Sequence, residues 1–163
     1  MSVKILIVDD HDVVRQGLRS FLAVRPDWEI CGEARSGDEA VQAVADLKPD
    51  IVILDITMPG ISGLEAATRI RALGTAVRIL IFTMHESPRI AIDVNDAGAH
   101  GFVQKSQASR DLILAVDRLL SGDTFFGQEQ DYRSRDKTLD QTSPSPKAAP
   151  ESDVPFRRGL ASS

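Results

Sequence analysis

Apolar positions over the first 122 residues follow two alternating rhythms. Short unbroken runs, such as Ile51-Val52-Ile53-Leu54 and Ile79-Leu80-Ile81-Phe82, are separated by longer stretches in which apolar residues recur every three or four positions. That alternation is the pattern of repeated strand-helix-strand units, and it predicts a parallel sheet. Five strands are expected, over residues 4–8, 29–34, 51–54, 78–82 and 101–103. The second is the most polar and belongs at an edge, whereas the unbroken runs are covered on both faces.

Five helices are expected between and after them. Val14, Leu18, Phe21 and Leu22 fall on one face after Asp12, and Ala40, Val44 and Leu47 recur at similar spacing after Ser36. Ser36 with Glu39 and Ser62 with Glu65 match the capping box, in which a hydroxyl and a carboxylate satisfy free amides at a helix start. Ser87-Pro88 predicts a fourth start, since proline there lacks only an amide that would have had no partner. Ile90, Val94 and Ala97 would then face inward. Leu112, Val116 and Leu120 mark the last helix, with Gly122 as its stop.

The pattern breaks after Gly127. Of the 36 residues from 128 to 163 only eight are apolar, and four of the chain's eight prolines lie there. Such a segment has no core to bury, so one domain over 1–127 and a disordered polar, proline-rich tail over 128–163 are expected. The tail's six basic and six acidic residues cancel, which leaves the formal charge of −5 on residues 1–127. A broad basic surface for nucleic acid or anionic lipid is therefore not indicated. Cys31 stands alone in an apolar stretch and reads as a packed thiol in a reducing compartment. Only four apolar residues separate Lys4 from the acidic pair, too few for a signal-peptide core or a membrane span. A cytoplasmic protein without membrane contact is expected.

The candidate chemistry lies where the runs stop. The first ends on Asp9 and Asp10, the third on Asp55, the fourth on Thr83, and the fifth is followed by Lys105. Parallel strands of one sheet would bring these five side chains to one edge. Three carboxylates at close range repel unless a proton or cation intervenes, and magnesium, which takes oxygen ligands and often only one or two carboxylates, suits the set. Asp55 stands alone before the turn Ile56-Thr57-Met58-Pro59-Gly60, which makes it the candidate nucleophile toward an incoming phosphoryl group. Lys105 and the metal would stabilise the charge that develops, and Thr83 could donate a hydroxyl hydrogen bond to a phosphoryl oxygen. Each residue alone has a plainer reading as a cap, a turn or a surface charge. Their conjunction at successive strand ends is what favours the site.

These residues resemble the receiver domains of two-component response regulators. The resemblance rests on Ile5-Leu6-Ile7-Val8-Asp9-Asp10-His11, on Asp55-Ile56-Thr57-Met58-Pro59-Gly60 with Gly63, on Thr83, and on the stretch from Gly98 through Phe102 to Lys105. It covers roughly residues 1–127. The front end, Asp9-Asp10-His11-Asp12-Val13-Val14-Arg15-Gln16-Gly17-Leu18, looks most like the subfamily that usually continues into a LuxR-type helix-turn-helix. The resemblance implies a flavodoxin-like (βα)5 fold, a doubly wound five-stranded parallel sheet of order 2-1-3-4-5 with ligands beyond the carboxyl ends of the strands. It implies that Asp55 is the phosphoacceptor for a sensor histidine kinase or phosphotransfer protein. Asp10, Asp55 and the Thr57 backbone carbonyl would bind Mg2+ directly, and Asp9 indirectly. Lys105 would bind the phosphoryl group, Thr83 and Phe102 would form a switch pair, and Thr57 and His85 would tune the phosphoryl lifetime. His11 and His100 are expected to be structural.

The expected function is a stand-alone phosphorylation-controlled binding switch rather than a metabolic enzyme. Its downstream contact would be a protein docking on the face of the fourth helix, fifth strand and fifth helix, where Arg89, Ile92 and Asp96 would be exposed. No recognition helix is evident in the tail, so direct DNA binding is not expected. Val154-Pro155-Phe156-Arg157-Arg158-Gly159-Leu160 is a second candidate docking segment. Three alternatives stand beside this reading: a magnesium-dependent aspartyl phosphatase of the haloacid dehalogenase type, a phosphorylation-independent interaction module, and the remnant of a DNA-binding regulator. The phosphatase would place a second acid two residues after the nucleophile, where this chain has Thr57.

Overall fold

The computed structural model describes residues 2–126. They form β1 (Val3–Val8), α1 (Asp12–Leu22), β2 (Trp28–Ala34), α2 (Gly37–Leu47), β3 (Ile51–Leu54), α3 (Gly63–Ala72), β4 (Arg78–Thr83), α4 (Ile90–Asp96), β5 (Gly101–Gln104) and α5 (Ala108–Leu120). All strand pairs are parallel and the sheet order is β2-β1-β3-β4-β5, the expected flavodoxin-like arrangement with β2 at an edge. The expected tail, including residues 154–160, lies outside the described residues.

Unbroken strands imply two cores, and two are present. Leu6, Val8, Val52, Leu54, Ile79 and Ile81 face α2, α3 and α4, where they meet Ala40, Val44, Ala66, Ile70, Ile90 and Val94. Ile5, Ile7, Ile51, Ile53, Leu80 and Phe82 face α1 and α5, against Leu18, Leu22, Leu112, Val116 and Leu119. The period of two along each strand thus sends alternate side chains to opposite layers of helices. With both faces covered, the functional groups are left to the sheet's carboxyl edge.

Several local expectations are corrected. Phe21, read as inward, is 37% exposed, and Val14 is only half-buried. The inner row of α1 is instead Arg15, Leu18 and Leu22. Ser36 and Ser62 do accept hydrogen bonds from the amides of Glu39 and Glu65, at 3.2 and 3.1 Å. The return arms of the capping boxes differ, because Glu39 accepts from the Arg35 amide and Glu65 pairs with Arg69. Ser87-Pro88 opens a turn in which the Ser87 hydroxyl accepts from the Arg89 amide, and the helix proper begins at Ile90. Cys31 is half-buried beside a register shift between β1 and β2. His100 is structural as expected: its Nδ1 accepts from the Ile79 amide at 2.9 Å. Burial, with Arg78 and Arg71 nearby, pushes its pKa down to about 4.

Two glycines allow close approaches that matter for the site. A Cβ on Gly63 would lie 1.9 Å from the Asp55 carbonyl oxygen, so only glycine lets α3 begin directly against the end of β3. A Cβ on Gly101 would lie 2.2 Å from the Phe125 carbonyl oxygen. The chain after α5 returns to β5 there as a short parallel bridge, with the Phe102 amide donating to Phe125 at 2.8 Å.

Candidate functional site at the carboxyl edge

β1 and β3 are neighbours, and the Asp55 amide donates to the Val8 carbonyl at 3.0 Å. This pairing sets Asp55 beside the acidic pair that follows β1. Potential ligand atoms of Asp9, Asp10, His11 and Asp55 all lie within 4.8 Å of one another. The three predicted acids are therefore gathered. His11, read as structural, joins them: its Nδ1 is 3.1 Å from an Asp9 oxygen and 3.2 Å from Oδ1 of Asp10.

The two adjacent acids differ in what holds them. Asp9 is 1% exposed; its Oδ1 accepts from the His11 amide at 2.9 Å and its Oδ2 from the Lys105 ammonium at 2.8 Å. Oδ1 of Asp10 is buried and has no hydrogen-bond partner in spite of the nearby imidazole. A buried, unsatisfied carboxylate oxygen is costly and calls for a cation. Three of the four groups in the cluster offer carboxylate oxygens, the ligand type hard divalent cations take, so Asp9, Asp10 and Asp55 fit Mg2+ with the His11 ring beside them.

Asp55 is 5% exposed, and Lys105 Nζ lies 3.5 Å from its Oδ2. Burial raises its pKa above the ordinary carboxylate value. Lys105 opposes the shift, Asp9 adds to it, and the backbone amides of Ile56 and Thr57 oppose it. Lys105 itself reaches the site from the turn after β5 and spans both Asp9 and Asp55.

Thr83 ends β4 fully buried, and its Oγ1 accepts from the His85 amide at 3.0 Å. Phe102 is buried in the α2-α3-α4 layer, edge-on to Phe126 with ring centroids 6.3 Å apart. Thr57 and His85, expected together as flanking positions, are in contact: Thr57 Oγ1 lies 2.9 Å from His85 Nε2. That contact ties the loop after β3 to the loop after β4.

Sequence reasoning passed over Arg15. It is one of four buried polar or charged residues among those described, the others being Asp9, Asp55 and Thr83. Its Nη1 donates to the Asp9 carbonyl oxygen at 2.6 Å. The signal was present in its spacing, three residues before Leu18 and seven before Leu22.

A doubly wound parallel sheet with a buried aspartate, an acid pair, a hydroxyl and an ammonium at its carboxyl edge defines a phosphoryl-accepting switch class. Residues 5–117 match the family described as the response regulator receiver domain, and the chain belongs to it. Among curated relatives, the response regulator protein VraR of Staphylococcus aureus is 32% identical over 137 residues, covering 84% of this chain. The chain spans 66% of that relative's length. A LuxR-family two-component response regulator from Aurantimonas sp. SI85-9A1 is similar in structure, with a TM-score of 0.76 and 35% identity over 85% of this chain and 99% of that one. The isolated receiver domain of RcsB from Salmonella enterica serovar Typhimurium, solved with phosphomimetic BeF3-, gives a TM-score of 0.72 at 27% identity, covering 78% of this chain and 94% of that one. The protein thus contains a receiver domain of two-component response regulators, and LuxR-family regulators are among its relatives.

Proposed function

We propose that this protein is a phosphorylation-controlled protein-binding switch whose Asp55 accepts a phosphoryl group from a sensor histidine kinase or phosphotransfer protein. The observation that carries this reading is the buried Asp55 carboxylate beside the Lys105 ammonium, within the same cluster as an unpartnered Asp10 oxygen. In the proposed step an Asp55 oxygen attacks phosphorus, an acyl-phosphate bond forms, and the bond to the donor breaks with its electron pair leaving on the donor. Asp10, Asp55 and the Thr57 carbonyl would hold Mg2+, with Asp9 acting indirectly, since Asp9 is already engaged by His11 and Lys105. When bound, the metal would neutralise the clustered acids and the charge of the transferring group. Lys105, 2.8 Å from Asp9 and 3.5 Å from Asp55, would stabilise that charge as well.

The new phosphoryl oxygens then offer acceptors to Lys105 and to Thr83. Thr83 would turn its hydroxyl from the His85 amide toward the phosphoryl group, and Phe102 would fill the space it vacates. The output face is formed by α4, β5 and α5, where Arg89, Ile92 and Asp96 are exposed. Thr57 and His85, hydrogen-bonded across the mouth, would limit the approach of water and so tune the phosphoryl lifetime. In this reading the receiver domain covers 1–127, residues 128–163 are a polar tail, and the protein is cytoplasmic. It acts as a signalling switch rather than a metabolic enzyme, and it contacts proteins rather than DNA. The phosphatase alternative lacks support because the Thr57 hydroxyl, not a second acid, stands two residues after Asp55.

The test is incubation with Mg2+ and a small acyl-phosphate donor, followed by intact mass. One phosphate should be added to the wild-type protein and none to Asp55→Ala. Undiminished uptake by Asp55→Ala would refute the assignment.

A further inference from the structure

Arg15 carries a charge into the interior one helical turn from the acidic pair. Burying a guanidinium is costly unless its donors are met, and here they are met on three sides. Nε donates to Glu33 Oε1 on β2 at 2.7 Å, Nη2 to Asp12 Oδ1 on α1, and Nη1 to the Asp9 carbonyl oxygen at 2.6 Å. The Asp9 amide meanwhile donates to Ala34 at 3.1 Å. Both backbone polar groups of Asp9 are therefore fixed, its N–H by the end of β2 and its C=O by Arg15. The fixed carbonyl belongs to the peptide that joins Asp9 to Asp10, so its plane sets where the Asp10 side chain departs.

We propose that Arg15 is a positioning residue for the cation site: by clamping the Asp9–Asp10 peptide it aims the Asp10 carboxylate at the bound divalent metal. This rests on reading the cluster as a metal-assisted phosphoacceptor site. Oδ1 of Asp10 is buried and makes no hydrogen bond, Nδ1 of the exposed His11 ring lying 3.2 Å away without bonding it, so the direction of this carboxylate before the metal arrives rests on the backbone that carries it. Holding a ligand ready lowers the ordering cost of binding, and loss of a residue that orients a metal ligand typically weakens metal affinity by about 10–100-fold. The planar fork matters as much as the charge. A lysine at position 15 offers a single ammonium and cannot hold α1, β2 and the Asp9 carbonyl at fixed angles together. Arg19 reaches the same Glu33 from the exposed side of α1 without touching Asp9, so it supplies the control.

Arg15→Gln, Arg15→Lys and Arg19→Gln are compared with wild type by calorimetric titration with Mg2+, by the Mg2+ dependence of phosphate uptake from a small acyl-phosphate donor, and by thermal melting. For Arg15→Gln the Mg2+ dissociation constant and the half-saturating Mg2+ for uptake should rise together by about 10–100-fold, while the rate at saturating Mg2+ stays within a few-fold. Arg15→Lys should fall between the two, and Arg19→Gln should match wild type. A purely structural role would lower the melting temperature and leave the Mg2+ constants where they were, and that result overturns the proposal. Should Arg15→Gln fail to fold, Arg15→Lys decides: unchanged Mg2+ affinity in it overturns the proposal equally. A wild-type protein that neither binds Mg2+ nor takes up phosphate would remove the site reading itself, and this inference with it.

Discussion

Replacing Asp55 by Asn should stabilise the metal-free protein, because the native site holds a charge there against the preference of its surroundings. Two unit charges 4.8 Å apart repel by roughly 3.5 kcal/mol at an effective dielectric of about 20, and this is the scale of each carboxylate pair in the cluster. The Lys105 ammonium 3.5 Å from Asp55 attracts by about 5 kcal/mol on the same scale. Two such repulsions, from Asp9 and Asp10, exceed the attraction by about 2 kcal/mol, and the cost of burying the carboxylate adds to this, only partly relieved by the amides of Ile56 and Thr57. A net gain on the order of 1–2 kcal/mol is expected for Asp55→Asn at neutral pH, or about 4–8 °C in melting temperature.

The sign can be checked with pH. The folded-state pKa of Asp55 is raised, so the folded protein binds more protons than the unfolded chain between the ordinary value of 3.8 and the raised one. The contribution of Asp55 to stability is thus fully present below pH 3.8 and is lost as pH rises through the folded pKa. The advantage of Asp55→Asn should therefore be absent near pH 3.8 and reach a plateau at neutral pH. Saturating the wild type with Mg2+ should recover part of the gap, about 1.4 kcal/mol at ten times its dissociation constant. Circular-dichroism melts of both proteins in chelator, from pH 3.5 to 8, measure this directly. A variant that melts at or below wild type at pH 7, or a gain that does not vary with pH, would show that the folded site holds the Asp55 charge at no cost.

Three further outcomes follow from the geometry. Gly63→Ala forces a Cβ against the Asp55 carbonyl, so stability should fall by about 2–4 kcal/mol in denaturant titration and phosphate uptake should slow as the end of β3 shifts. Lys105→Met removes the ammonium from both Asp9 and Asp55, and the rate of phosphate uptake at saturating Mg2+ should drop by about 100-fold or more in a timed mass assay. His85→Ala and Thr57→Val break the same hydrogen bond, so each should change the dephosphorylation rate and the double variant should add little to either. Unchanged rates in His85→Ala would remove the lifetime role.

The sheet and its edge were legible because one physical pattern encodes both. A strand covered on both faces must be apolar throughout, so the runs ending at Val8, Leu54 and Phe82 announce where the polar edge begins. The residues that follow, Asp9, Asp10, Asp55 and Thr83, needed only the strand order to be brought together. What remained hidden depends on acceptors contributed from elsewhere in the chain. Hydropathy places Arg15 outside and Phe21 inside, yet the Asp9 carbonyl and Glu33 draw the guanidinium in while Phe21 finds no layer to enter. His11 offered no metal-ligand spacing along the chain, and only the turn after β1 brings its ring back to Asp9 and Asp10. The Phe125 bridge was similarly unreadable, because it depends on the missing Cβ of Gly101, 24 positions earlier in the chain.

In the proposed function a single carboxylate at this edge, that of Asp55, carries the phosphoryl group. This is tested most directly by reducing the phosphorylated protein with borohydride and sequencing its peptides by mass spectrometry, since hydride converts an acyl phosphate to an alcohol. Homoserine is expected at position 55 and aspartate still at positions 9 and 10, with the conversion requiring Mg2+ during phosphorylation. Homoserine at position 9 or 10, or no conversion at position 55 in protein that has gained a phosphate, would contradict it.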